Sequence, residues 1–501
     1  MIADTLQGKV EGREKDGVLL FAGIPYASPP VGNRRFRPPE PHPGWDGVRP
    51  ATQFGKAAPQ KPRAGSALPG MDLDWDEDCL FLNVVTPAAD DARRPVMVWI
   101  HGGAFVTGSG RTPWYNGVSF ARRHDVVVVT LNYRLGALGF LHLGELDPAW
   151  GSSGVNGILD QVAALEWVRD NIASFGGDPG DVTIFGESAG GMSVATLLGV
   201  PAARGLFHKA IPQSGAAHHT LDTATAAKIA ERFCDEAGAR TVEDLRALSP
   251  DLLLEAQLAV ESALLADPGA VTGGDGAPLT LPYRPVIDGT HLPRRPIDAV
   301  RAGDVAGVPL LTGTNLDEFT LFSLMAAQDL DDERAARRLA AFLPDPDAAL
   351  ATYRAARPDA SPFDAWTAAM TDQVFRIPAI RLAEAQAQHQ PDTWMYLFTW
   401  PSTAFGGRLG SCHALEIPFV FNMLGARGVP EFCGEGPPED VALAMHDAWA
   451  AFARTGDPNH QGIPEWPRYE PGRRATLEFG SERTVLEDPH AAERRLWEGV
   501  L

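Results

Sequence analysis

The sequence predicts an α/β fold, a mostly parallel central sheet with helices on both faces, on three observations. Near-continuous apolar runs of strand length alternate with segments whose apolar residues recur at helical spacing, as in buried strands joined by crossover helices. At 45% hydrophobic and 21% charged residues, the composition is that of an ordinary globular chain. At 501 residues the chain can bury several sizeable cores, or one large core with insertions.

Taken in chain order, Pro95–Ile100 (PVMVWI) is the first run that reads as a buried strand, and Val126–Leu131 (VVVVTL) is the second. Gln161–Phe175 then places Val162, Leu165, Val168 and Ile172 at helical spacing. Val182–Phe185 (VTIF) reads as a third strand, and Ala189–Leu198 as a helix of small residues. Val308–Leu311 is a later strand, followed by the turn Thr312-Gly-Thr-Asn315, and Trp394–Trp400 is β-rich. The Ala-rich stretches Asp222–Glu261 and Asp329–Gln388 are helical. They read as insertions, at about 222–300 and 325–390, packed over one domain that spans residues 1–501. The Pro/Gly-rich stretches 59–70 and 267–282 read as loops.

Lys plus Arg is 43 and Asp plus Glu is 64, a net charge of −21. That balance argues against nucleic acid, whose phosphates need a basic surface, and against anionic membranes. No apolar run approaches the ~20 residues of a bilayer span. The first twenty residues lack a basic start followed by an apolar stretch, so the cytoplasm is the expected compartment. Cys79, Cys234, Cys412 and Cys433 are scattered, with no metal-binding or disulfide spacing, which fits a reducing compartment. No metal and no organic cofactor is expected, and the oligomeric state is left open.

The sharpest local feature is Gly186-Glu187-Ser188-Ala189-Gly190, which stands between the strand VTIF and the helix AGGMSVATLL. A strand-to-helix turn this tight strains its middle residue and projects the serine oxygen from the sheet edge, and small neighbours make room for it. Ser188 is therefore the candidate nucleophile. Of 13 histidines, His413 is the best-placed base. It follows the strand Trp394–Trp400 through the Gly-rich loop GGRLGSCHALEIPF, and His460 is the runner-up. The acid that orients the base falls at Asp317 or Glu318, just past a strand end; the pattern does not separate them. His101-Gly102-Gly103-Ala104-Phe105 follows PVMVWI and offers backbone N–H groups to an oxyanion, with Ala189 as a further donor. The order serine, acid, histidine is that of an α/β-hydrolase. Phe105, Met192 and Phe319 flank these motifs, either as pocket walls or as core packing.

Further motifs run almost end to end: Phe21-Ala-Gly-Ile-Pro-Tyr-Ala27, Val31-Gly-Asn-Arg-Arg-Phe36, Glu77-Asp-Cys-Leu-Phe-Leu-Asn83, Asn132-Tyr-Arg-Leu135, Asp160-Gln161, Phe175-Gly-Gly-Asp-Pro179, Gln213-Ser-Gly215 and Phe452-Ala-Arg-Thr-Gly-Asp-Pro458. In this set the chain resembles the type B carboxylesterase family of the α/β-hydrolase superfamily, a family that includes para-nitrobenzyl esterases and, more distantly, cholinesterases. The resemblance implies Ser188 as nucleophile, His413 as base and Glu318 as acid. It implies an oxyanion hole from the Gly102–Gly103–Ala104 loop and Ala189, a structural ion pair Arg35–Glu77, and supporting polar roles for Glu187 and Ser214. It also implies that Cys79 stands where secreted members carry a disulfide, whose partner position here, within 54–60, holds alanine. Phe319 stands where glycine is common.

These residues imply a serine hydrolase that cleaves neutral short-chain or aryl carboxylic esters through an acyl-enzyme, with a small-molecule ester as its partner. An amidase or carbamate hydrolase would use the same machinery. A catalytically dead adhesion-type module would lack the serine that is present here. The histidine is expected to titrate near ~6–7.5.

Overall fold

Eleven strands form the central sheet of the computed structural model, which describes residues 1–61, 74–267, 271, 281–324 and 330–500. In chain order they are β1 (Arg13–Lys15), β2 (Val18–Pro25), β3 (Phe81–Thr86), β4 (Arg94–Ile100), β5 (Val127–Leu131) and β6 (Gly177–Glu187). Then come β7 (Lys209–Gln213), β8 (Leu310–Asn315), β9 (Thr393–Phe398), β10 (Ala475–Phe479) and β11 (Val485–Glu487). The spatial order is β11-β10-β9-β8-β7-β6-β4-β5-β3-β2-β1. The stretch from β10 to β5 is parallel throughout, and both flanks are antiparallel. A separate three-stranded sheet joins Ile2–Thr5, Gly8–Glu11 and Val48–Pro50.

The apolar runs are buried on both faces because helices cover both. Along β4, Val96, Val98 and Ile100 enter one core, while Met97 and Trp99 enter the other. The first core continues into a helical segment through Phe233, Leu253 and Val260. That segment holds the helices Thr223–Ala237, Val242–Ala247 and Pro250–Ala266, whose first turns are capped by Asp222, Thr241 and Ser249. A second helical segment holds Asp332–Leu339, Pro346–Ala355, Pro362–Thr371 and Ile377–Ala387. It builds a smaller core of Leu339, Leu350, Tyr353 and Phe363 with Met395 and Trp497. Most of the loop expected at 59–70, most of that at 267–282 and the segment 325–329 lie outside the described residues.

The turn expected at Thr312–Asn315 is instead strand. β8 runs from Leu310 to Asn315, every residue buried, and Val308 precedes it. Thr312 and Thr314 are β-branched and suit a pleated strand. Gly313 is there for space: a Cβ would stand 2.4 Å from Cδ1 of Tyr396 on β9. β7 went unread because KAIPQ is not an apolar run, yet all five of its residues are buried between β6 and β8.

The chain leaves β4 to form β5 on one side and β6 on the other, so the order reverses at β4. In open α/β sheets the crevice beyond the carboxyl ends at such a reversal is where ligands bind. The HGGAF loop follows β4 and Ser188 follows β6. The Arg35–Glu77 pair is bidentate, with Nε to Oε1 at 2.7 Å and Nη2 to Oε2 at 2.5 Å. Arg35 also donates to the carbonyls of Arg246 and Leu248, tying the N-terminal segment to the end of the helix Val242–Ala247.

Candidate active site

Ser188 has φ 57° and ψ −125°, a backbone conformation that costs a non-glycine residue strain and persists only where its surroundings hold it. Its N–H donates to Gln213 O at 3.0 Å, and its carbonyl accepts from Met192 N at 2.7 Å. The glycines two positions either side are required for contact with β4. A Cβ on Gly190 would lie 2.0 Å from the Ile100 carbonyl oxygen, and one on Gly186 would lie 2.5 Å from the same atom. The elbow is thus pressed onto the end of β4, and its serine is partly exposed.

The loop after β4 lies against that elbow. A Cβ on Gly102 would stand 3.0 Å from Ser188 Cβ and 2.5 Å from the Glu187 carbonyl oxygen. Gly103, Ala104 and Phe105 are consecutively left-handed, with φ 112°, 55° and 61°. Val106 and Thr107 donate to the Gly103 carbonyl, and Gly136 donates to that of Phe105. Tyr133 donates its hydroxyl to His101 O at 2.8 Å, and its ring stacks on the imidazole at 4.5 Å. Burial pushes the His101 imidazole down to about 4, so at neutral pH it is uncharged. No described residue accepts from the N–H groups of Gly103, Ala104 or Ala189.

His413 reaches the same end of the sheet. Its Nδ1 donates to Glu318 Oε2 at 2.6 Å, and its Nε2 faces Glu187 Oε1 at 3.1 Å. Both contacts are buried, with Glu318 at 0% exposure. Glu318 Oε1 accepts from Asn315 N at 2.7 Å, which locks the carboxylate onto the end of β8. Asp317 faces elsewhere. Its Oδ2 accepts from Ser411 N at 2.9 Å, and its own N–H donates to Ser411 O, so it staples the loop that carries His413. His460 lies apart, with Nε2 against Ala444 O and Nδ1 accepting from Gly462 N.

Burial would lower the basicity of His413, but the charges of Glu187 and Glu318 outweigh it and push the imidazole up to about 9. The sequence expectation of ~6–7.5 did not include two carboxylates on one ring. Burial pushes the Glu187 carboxyl well above its ordinary range, with Glu416 and Glu318 adding to the effect. Glu416, three residues past His413, went unnoticed in the sequence. Its two oxygens accept from Gln213 Nε2 at 3.0 Å and Asn315 Nδ2 at 2.7 Å, and Trp449 Nε1 donates to Gln213. Burial first, then Glu318, pushes Glu416 up to about 7. Ser214 is buried at the end of β7 with φ 47°; its N–H donates to Gly313 O, and its hydroxyl lies beside that of Tyr396.

Phe105 is buried in the main core edge-on to Phe140, and Met192 is buried in the same core. Phe319 donates its N–H to Thr371 Oγ1, and its ring lies edge-on to Trp366. The rings that reach His413 are two others, Phe375 at 4.6 Å and Phe322 at 5.1 Å between centroids. Phe322 is 49% exposed. One signal pointed to it, since it stands four residues after Glu318 at helical spacing; nothing in the sequence pointed to Phe375. Among the described residues, no group of three or more His, Cys, Asp or Glu side chains could hold a metal ion.

A strained serine at a strand-to-helix elbow and a buried histidine–carboxylate pair at a sheet reversal define a serine hydrolase of the α/β-hydrolase fold. Residues 1–497 match the profile of the carboxylesterase family. The chain is 39% identical to the para-nitrobenzyl esterase of Bacillus subtilis, covering 99% of this chain and 98% of that protein. It is 36% identical to the phenmedipham hydrolase of Pseudarthrobacter oxydans, covering 99% of each. A crystal structure of a Geobacillus stearothermophilus carboxylesterase superposes with a TM-score of 0.88 at 43% identity, covering 99% of both chains. The chain belongs to the carboxylesterase family. It is an enzyme that hydrolyses carboxylic esters.

Proposed function

We propose that the enzyme acts on neutral short-chain or aryl carboxylic esters through an acyl-enzyme on Ser188. His413 is the general base, Glu318 holds its tautomer, and the N–H groups of Gly103, Ala104 and Ala189 receive the oxyanion, with Gly102 giving the loop its closeness to the serine. The observation that carries this reading is the buried 2.6 Å contact of His413 with Glu318 at the same sheet edge as the strained Ser188.

His413 Nε2 takes the Ser188 proton as Oγ attacks the ester carbon. The tetrahedral oxyanion forms against the three backbone donors, which cost no reorganisation because no other group occupies them. Collapse breaks the bond to the alcohol oxygen, which leaves with the proton from Nε2. Water then repeats the sequence on the acyl-serine and releases the acid. The Glu187 carboxyl faces Nε2 at 3.1 Å, and its charge adds to that of Glu318 in raising the basicity of His413. The base acts with Nε2 unprotonated, so these charges move the productive form to higher pH. Ser214 supports the end of β7 beside the elbow. Two carboxyl groups on the imidazole, with Glu416 adding its charge nearby and Phe322 and Phe375 beside the ring, favour a neutral and apolar substrate.

A small-molecule ester is the partner; the net charge of −21 speaks against nucleic acid. The cytoplasm is the proposed compartment, supported by four buried cysteines, all unpaired. Among the described residues no helix is long and apolar enough to cross a membrane. Ser188→Ala tests the catalytic reading. Turnover of p-nitrophenyl acetate should fall by at least ~10³-fold with unchanged circular dichroism; near-native turnover in a folded variant would overturn the assignment.

A further inference from the structure

Phe375 lies in a π-helical turn, Asp372–Arg376, between the helices Pro362–Thr371 and Ile377–Ala387. Such a turn fits one extra residue into the helix and recurs at functional sites. Here a buried ionic network holds it. Arg376 Nε meets Asp372 Oδ1 at 2.5 Å and Nη2 meets Oδ2 at 2.7 Å. Tyr353 donates its hydroxyl to Asp372 Oδ2 at 2.6 Å, and Trp497 Nε1 donates to Tyr353 at 2.9 Å. Arg376 also donates to Pro489 O at 3.2 Å and faces Glu493 Oε2 at 3.6 Å, while Arg357 pairs with Glu493. Asp372, Arg376, Tyr353, Glu493 and Trp497 are all buried. The C-terminal segment 489–497 therefore reaches across to the π turn.

Buried ion pairs are poor stabilisers, because a well-packed apolar replacement serves as well or better. The network fixes a geometry instead. It sets the Phe375 ring 4.6 Å from the His413 ring and within 10° of parallel to Phe322, with 6.1 Å between those two centroids. His413 delivers its proton to the leaving oxygen, so the group attached to that oxygen must lie beside the imidazole. Phe375, 3% exposed, and Phe322, 49% exposed, are the phenyl rings packed on that imidazole.

We propose that the Asp372–Arg376 pair and its anchors Tyr353 and Trp497 are positioning residues, which hold Phe375 as the wall for the leaving alcohol and give the enzyme a preference for aromatic alcohols. The proposal rests on the assignment of His413 as the acid that protonates the leaving group. If the network relaxes, the turn returns to α-helical winding, and Phe375 swings away from the imidazole.

The test compares kcat/KM for phenyl acetate and ethyl acetate, which share an acyl group and differ only in the alcohol. The unsubstituted enzyme is compared with Phe375→Leu, Asp372→Asn, Tyr353→Phe and Ser188→Ala. The phenyl-to-ethyl ratio, normalised to the unsubstituted enzyme, should fall about tenfold in Phe375→Leu and in Asp372→Asn. In Tyr353→Phe, which deletes one hydroxyl and keeps the ring volume, it should fall about threefold. A purely structural role would lower both esters together and leave the ratio unchanged, which would overturn the proposal. Should Asp372→Asn not fold, Tyr353→Phe decides in the same way. Unchanged ratios alongside a dead Ser188→Ala would overturn the clamp and leave the catalytic reading standing. Persistent turnover in Ser188→Ala would remove the foundation and the proposal together.

Discussion

Two adjacent carboxylates, Asp317 and Glu318, have opposite tasks, and mutagenesis should separate them. Glu318 meets His413 Nδ1, so Glu318→Gln should cost on the order of 10⁴ in kcat by loss of the imidazolium's partner and its tautomer. Asp317 accepts from Ser411 N, a bond that asparagine can keep, so Asp317→Asn should cost less than about tenfold. Steady-state kinetics on the two folded variants checks the ranking; the reverse order would sink the assignment. The pH profile belongs at the same scale. An anionic carboxyl beside Nε2 favours the protonated imidazole, so the acidic limb of kcat/KM should lie above the ordinary histidine value of 6.5. Activity is then present above the raised value and lost as pH falls through it. Glu187→Gln removes one of the two charges and should move the limb to lower pH. A limb that stays in place or moves up would show that Glu187 does not act on His413.

At the scale of elements, the oxyanion loop depends on residues that have no alternative. Gly103 has φ 112°, and a Cβ there would stand 2.2 Å from the Thr107 carbonyl oxygen, a backbone atom that cannot step aside. Gly103→Ala should displace the loop and cost roughly 10²–10³ in kcat, the effect of losing one oxyanion donor. Thermal unfolding measured beside kcat checks this: a variant with native kcat would mean that the loop's N–H groups are not used. The elements themselves were legible where burial on two faces leaves an unbroken apolar run, as in β4, β5 and β6. They were illegible where burial depends on neighbours. Lys209–Gln213 is a central strand only because β6 and β8 enclose it, and Thr312–Asn315 reads as a turn until Tyr396 is seen to need the space at Gly313.

For the molecule as a whole, charge carries the prediction. The net charge of −21 and the carboxyls around His413 oppose an anionic substrate both in approach and in the site. An ethyl ester should therefore show higher kcat/KM than the hemisuccinate of ethanol. The gap should narrow as salt is raised, because screening acts on the approach. A preference for the hemisuccinate at low salt would refute this. Arg34 and Arg35 do not offset this, since Arg35 is bound to Glu77 and Arg34 to Glu40.

The sequence by itself determined the fold class and marked the elbow at Ser188 and the glycine loop after β4, because each is written in contiguous residues whose spacing is forced by local backbone geometry. The family motifs narrowed the candidate base and acid further than spacing could. Only the tertiary structure decided which way Asp317 and Glu318 face, that Glu187 as well as Glu318 meets the imidazole, and that the rings packed on it are Phe322 and Phe375, the latter buried in the same core as Phe105 and Met192. These contacts join residues far apart in the chain. Their energies come from burial and from charges a few ångströms apart, quantities that exist only once the sheet has brought its carboxyl ends together.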